Sequence, residues 1–179
     1  MSVIFYFLGL FACLFLVFVF GFYYIWTIFF GVPYVPSDAQ IVSDIIKFLQ
    51  SNKINNKGLS ELNIAELGAG TGTLAFALAK YGAKVKAVEI NPILTIIMRV
   101  IKILKRAKTV EILNTDLKKI DYSEFDCIVI YLYPELLEKI EDRVFSELHK
   151  GSYILSNTFA FKKHKEYLKI GKLNVYKVE

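Results

Sequence analysis

The stretch 63–72, NIAELGAGTG, runs a short apolar segment into glycines at positions 68, 70 and 72. Glycine accepts left-handed backbone that other residues avoid, so this spacing marks a sharp turn that a ligand can approach closely. Residues 63–67 read as a buried strand, and 72–82 as a helix closed by Gly82. The same order then recurs. Residues 84–90 read as a strand, after which Asn91 and Pro92 supply a cap and an N1 proline for a helix to about Arg106. Strands follow at 109–113 and 125–132, then a helix from Pro134 with Leu136, Ile140, Val144 and Leu148 four apart, then a strand at 152–157. The tail, 165–179, reads as two strands about a Gly171-Lys172 turn. Strand and helix in alternation, ended by a hairpin, specify an α/β fold: a parallel sheet covered by helices on both faces, with an antiparallel edge. Ligands of such sheets bind at the carboxyl ends of the strands, near the switch in strand order.

What the turn holds is narrowed by what it lacks. A phosphate loop needs G-x-x-x-x-G-K-[ST], but the sixth place from Gly68 is Thr73 and no lysine follows. A dinucleotide turn needs a glycine at that same place. What stands is E-x-G-x-G-x-G from Glu66, with two further acids behind it. Glu89 ends the second strand, where an exposed carboxylate can accept from both hydroxyls of a ribose. Asp116 follows the third strand, where it can accept from an adenine amino group. Glu66 is placed to meet an ammonium, and the helix start near Gly72 offers backbone N–H groups to an anion. A ligand with a carboxylate, an ammonium, a ribose and an adenine, and no required phosphate, is S-adenosyl-L-methionine. The expected cofactor-binding residues are Glu66, Gly68, Ala69, Gly70, Gly72, Glu89, Ile90, Asn91 and Asp116.

These motifs resemble the class I, seven-strand S-adenosylmethionine-dependent methyltransferases. ELGAGTG at 66–72 carries the likeness to the superfamily. PYVPSD at 33–38, EINP at 89–92 and YLYPELL at 131–137 are similar to one branch, the small membrane-anchored protein-lysine methyltransferases. That branch is related to the enzymes acting on the c-ring protein of ATP synthase and on the adenine nucleotide translocase. The likeness covers roughly residues 1–160. It implies a Rossmann-like methyltransferase sheet of the seven-strand type with a C-terminal antiparallel hairpin, preceded by one N-terminal transmembrane helix. It also implies a lysine-containing, membrane-associated protein as substrate. Tyr34, Pro36 and Ser37 join the expected cofactor contacts. Tyr131, Tyr133 and Pro134 are candidate catalytic residues at a substrate mouth, although the two tyrosines also suit a core. Two departures stand out: Glu66 where Asp is commoner, and a short C-terminal hairpin.

Val3–Val32 is thirty residues without a charge, and the first charged side chain is Asp38. About 20 helical residues cross a bilayer's hydrocarbon, so the run is long enough to span with tilt. Tyr23, Tyr24 and Trp26 stand where aromatic side chains favour the interface. A cleaved signal would show a basic start and an apolar core of about 7–15 residues. Neither is present. The chain thus divides into a transmembrane helix (1–32), a preceding segment and helix (33–60) and a methyltransferase domain (61–179). Ser37 and Gln40 form a capping-box pattern for the helix carrying Ile41, Ile45, Phe48 and Leu49. Lys47, Lys53 and Lys57 place the domain on the cytosolic side. The setting expected is the prokaryotic cell membrane, or the mitochondrial inner membrane for eukaryotic relatives.

Cys13 and Cys127 form no disulfide framework, and His149 and His164 lack metal-ligand spacing, so no metal is expected. The net charge of +5 is read as scattered over a solvated lysine-rich surface, with no nucleic-acid partner expected. Two alternatives stay open. One is a methyltransferase of a lipid, quinone or other small molecule; the short loops, lacking a covering insertion, argue against it. The other is a non-catalytic adenosine-ligand-binding membrane protein.

Overall fold

The computed structural model describes residues 2–30 and 38–179, with side chains placed over 4–24 and 38–179. The chain forms two compact units, one through Tyr34 and one from Val35. The first is a single helix, α1 (Ser2–Phe30). Its stretch Ile4–Tyr24, of mean hydropathy 2.6, is long and apolar enough to cross a membrane by length and composition.

The second unit begins with α2 (Ala39–Ser51), whose cap is Asp38: Oδ1 accepts from the Gln40 N–H at 3.0 Å. Asp38, not Ser37, is therefore the cap. Asx side chains cap by accepting the N–H two residues on, which sets the start. The expected stripe Ile41, Ile45, Phe48 and Leu49 is buried, and Ile46 joins it. These side chains pack in one cluster with Ile64 and Val85 of the sheet, so α2 is part of the domain's own core.

Strand and helix then alternate: β1 (Asn63–Leu67), α3 (Thr73–Ala79), β2 (Lys84–Glu89), α4 (Pro92–Lys105), β3 (Val110–Asn114), β4 (Cys127–Ile130), α5 (Pro134–Glu147) and β5 (Tyr153–Asn157). The hairpin is β6 (Leu168–Ile170) and β7 (Leu173–Lys177). One seven-stranded sheet results, in the order β3-β2-β1-β4-β5-β7-β6. β1 to β5 are parallel, and β7 lies antiparallel between β5 and β6. Three 3₁₀ turns, Leu59–Glu61, Leu117–Lys119 and Tyr122–Glu124, fall outside the sequence-predicted elements.

Because side chains alternate across a strand, each inner strand feeds two cores. Cys127 and Val129 of β4 join the face carrying α2, α3 and α4, while Ile128 and Ile130 join the face carrying α5. On α5 the buried line is Leu137, Ile140 and Val144, with Leu136 only half-buried. The order reverses between β1 and β4, which opens a crevice at their carboxyl ends.

Candidate functional site

That crevice begins with the glycine turn. Gly68 and Ala69 both donate to the Val88 carbonyl, at 2.9 and 3.0 Å, and so bind the turn to the end of β2. Gly68, Gly70 and Gly72 all hold positive φ, at 77°, 57° and 79°. Packing adds a second requirement. A Cβ at Gly68 would lie 2.8 Å from Leu132 Cδ2, and one at Gly72 would lie 2.8 Å from Met98 Cγ. Gly68 therefore serves the β4–α5 connection as well as any ligand that meets the turn.

Glu66 is only 6% exposed, and its Oε2 accepts from the Ala75 N–H at 2.9 Å, at the start of α3. Burial pushes its carboxyl up to about 8, with the Ala75 hydrogen bond opposing and the charge of Glu89 reinforcing the shift. The site thus holds a neutral carboxyl whose ionised form needs a nearby cation. An ammonium is such a group.

Glu89 is not the exposed acid that the sequence suggests. It is 8% exposed; Oε2 accepts from the Gly70 N–H and Oε1 from the Asn91 N–H, each at 2.8 Å. Those two donors come from the turn and from the cap of α4, and they draw the side chain inward. Each carboxylate oxygen has a second lone pair, so both can still accept a hydroxyl. Asn91 caps α4 by accepting from Ile93 and Leu94, at 2.9 and 3.3 Å. Ile90 beside it is exposed. Asn114, which spacing did not single out, donates to the carbonyls of Glu89 and Ile90, both at 3.0 Å, and so braces this corner. Asp116 is half-buried and caps the 3₁₀ turn after β3, accepting from Lys118 at 2.9 Å. Ala69 is buried within the turn. Tyr34, Pro36 and Ser37 lie outside the described residues.

On the other side of the crevice, Tyr131, Tyr133 and Pro134 are half-buried around the buried Leu132. Tyr133 precedes α5, and its ring lies 6.0 Å from that of Phe159. Phe159 is a residue that sequence reasoning missed. It follows Thr158, whose φ of 67° is left-handed, which is rare for a β-branched residue. The Phe159 N–H donates to the Asn157 carbonyl and the Thr158 N–H to that of Lys172, each at 2.8 Å. This tight turn puts Phe159 beside Tyr133. Its only trace in the sequence is the turn-forming Asn157.

The donor set can be tested against a ligand. Acids at the ends of three adjacent strands, a turn of left-handed glycines and no basic residue over 66–73 suit a cationic adenosine compound better than a nucleotide phosphate. With β7 inserted antiparallel beside β5, the sheet and this turn define an S-adenosylmethionine-dependent methyltransferase fold. The chain belongs to the ANTKMT methyltransferase domain family, whose profile matches residues 66–167. S-adenosyl-L-methionine is accordingly its cofactor.

Among curated proteins, the chain is 24% identical over 131 residues to a Rattus norvegicus lysine N-methyltransferase of the ATP synthase c-ring protein. That match covers 73% of this chain and 57% of the rat protein, so the chain spans little more than half of that relative. A shorter match is to a probable small-subunit ribosomal RNA methyltransferase of Methanosphaera stadtmanae, 39% identical over 66 residues, covering 37% of this chain and 24% of that protein. Among solved structures, an RNA methyltransferase from Salinibacter ruber, in complex with S-adenosyl-L-homocysteine, shares the fold. Its TM-score is 0.71 at 21% identity, over 80% of this chain and 94% of that one.

Proposed function

We propose that the protein is a membrane-anchored protein-lysine N-methyltransferase acting on a membrane-associated protein. The observation that carries this reading is the ANTKMT-family match over 66–167. It is supported by the rat relative's lysine-directed activity and by an apolar helix long enough to anchor the domain.

When bound, the cofactor supplies an electrophilic methyl group on a sulfonium. Glu89 would hold the ribose hydroxyls, Asp116 the adenine amino group, and Glu66 the ammonium. Tyr34, Pro36 and Ser37 would complete the cofactor contacts, and Ile90 and Asn91 would line one edge. The remaining task is to present a neutral lysine, although the reference lysine pKa is about 10.4. Tyr131, Tyr133, Pro134 and Phe159 would form an apolar mouth that excludes water, which disfavours the ammonium form. The tyrosine faces would also steady the amine as it becomes cationic. Positioning and desolvation carry the catalysis, with no general base assigned.

The test is to incubate host membranes with the full chain and radiolabelled S-adenosylmethionine, then fractionate. Label recovered as methyllysine in a membrane protein supports the reading. Label in lipid or RNA instead overturns the substrate class. Cofactor binding with no label in any fraction favours the non-catalytic alternative.

A further inference from the structure

The helix α4 is packed on the sheet through Thr95 and Met98, yet its opposite face is apolar. Ile93, Ile96, Ile97, Val100, Ile103 and Leu104 are all exposed, Ile96 at 57%, Ile103 at 75% and Leu104 at 77%. At about 100° per residue these six fall within an arc of about 120°, the geometry of one continuous stripe. A soluble helix normally turns charge to water on that face. Here the helix is amphipathic the wrong way round for a domain surrounded only by water.

Charge says what covers it. Between Glu89 and Glu111 the chain has no acid but five cations: Arg99, Lys102, Lys105, Arg106 and Lys108. Removing those five from the 22 Lys and Arg leaves seventeen, against 17 Asp and Glu. The whole net charge of +5 therefore belongs to α4 and the residues just after it, and is not scattered over the surface as the sequence first suggests. An exposed apolar stripe flanked by cations, with no acid among them, is the signature of a helix that lies in the interface of an anionic bilayer.

We infer that α4 is a second membrane contact: it lies along the surface of an anionic bilayer, with Ile96, Val100, Ile103 and Leu104 seated at the boundary of headgroups and acyl chains. This extends the proposed function and shares its reading of α1 as a span. The consequence for the site is direct. Asn91 caps α4 and also donates to Glu89, so fixing α4 on the surface fixes the cofactor crevice at headgroup level. A lysine just outside the hydrocarbon would meet the mouth there, whereas one far from the membrane would not.

The experiment uses the full chain, with Cys13→Ala, reconstituted into phosphatidylcholine vesicles with or without phosphatidylglycerol. Cys127 is buried, and burial pushes its thiol up, so it stays unlabelled. Nitroxides are placed singly at Phe11→Cys in α1, at Ile96→Cys and Ile103→Cys on α4, and at Lys172→Cys on the exposed hairpin turn. Oxygen and nickel-chelate accessibilities then give depth.

With phosphatidylglycerol, labels at 96 and 103 should sit at interfacial depth, about 5–10 Å in, while 172 stays aqueous. The immersion should be lost in phosphatidylcholine alone and reduced in about 1 M salt, where the Debye length is about 3 Å. Carrying Ile96→Glu together with Val100→Glu should move the 103 label back to water without lowering the melting temperature, because both side chains are exposed. Water-like 96 and 103 with an immersed 11 overturns the inference alone. A water-like 11 overturns the span reading beneath it. Dipolar broadening at 96 and 103, with neither collider admitted, means a second copy covers the face and also overturns the proposal.

Discussion

At the scale of single residues, the buried Glu66 carboxyl is the most testable. Its folded-state value of about 8 lies above the reference 4.5, so the folded chain keeps a proton that the unfolded chain has shed. The stability this lends is complete below about pH 4.5, declines as pH rises through that window, and is gone above about pH 8. An ammonium beside it reverses the preference, so cofactor binding near pH 7 should expel a proton. Affinity should then rise by up to about tenfold per pH unit toward pH 8 and level off above it. Calorimetric titration in buffers of different ionisation enthalpy measures the proton count. No proton release at pH 7 would remove Glu66 as the ammonium partner. Glu66→Gln should bind weakly and lose the pH dependence together. Much of this site was legible residue by residue: the three acids, the glycines and Asn91 all stand at strand ends or turns that their neighbours predict. Burial was less legible. The N–H groups that draw Glu89 inward come from Gly70 and Asn91, and no spacing rule reveals that convergence. Phe159 escaped notice because its placement depends on the left-handed backbone at Thr158.

At the scale of elements, α5 does more than cover the sheet. Glu141, 1% exposed, accepts from the Lys162, Lys163 and His164 N–H groups and pairs with His164 Nδ1 at 2.9 Å. Phe145, one turn on, stacks on that imidazole at 3.6 Å. A single helix position thus holds down the segment that leaves Phe159 for the hairpin. Burial alone would raise the Glu141 carboxyl, but the His164 hydrogen bond and the backbone donors together hold it below its ordinary value. Its contribution is therefore present above the unfolded value of 4.5 and fades as pH falls through the lower folded value. Glu141→Gln should cost about 1–3 kcal/mol at neutral pH, typical of weakened hydrogen bonds to a buried charge. Melts of the two proteins should converge in acid; a gap that persists there would mean packing, not ionisation, explains the loss. The strands and long helices were predictable to within about two residues, a normal uncertainty at element ends. Glu141 was not, because PELLEKIEDRVF shows a charged helix face without showing which acid a distant loop will cover.

At the scale of the whole molecule, the chain pairs an apolar helix with a catalytic-type domain, and confinement to one surface raises the effective concentration of enzyme and target. Removing residues 1–32 while keeping PYVPSD should spare cofactor binding and depress methylation in intact membranes, with a much smaller loss on detergent-solubilised substrate. Parallel rate assays on the two preparations check this, and equal rates in both would leave the span a role in address only. The α/β class follows from alternation in the sequence. The place of β7 does not, since its pairing with β5 is non-local and no local pattern encodes it. That placement also has a consequence in time. A ribosome delivers the chain from its N-terminus, so α1 emerges first while β7, an inner strand, is the last strand made. Until residues 173–177 appear, β5 is an open sheet edge and the base of the mouth is unbuilt. The nascent domain therefore waits beside the membrane with its sheet incomplete, and the cell must shield that edge from neighbouring chains for as long as translation of the tail takes.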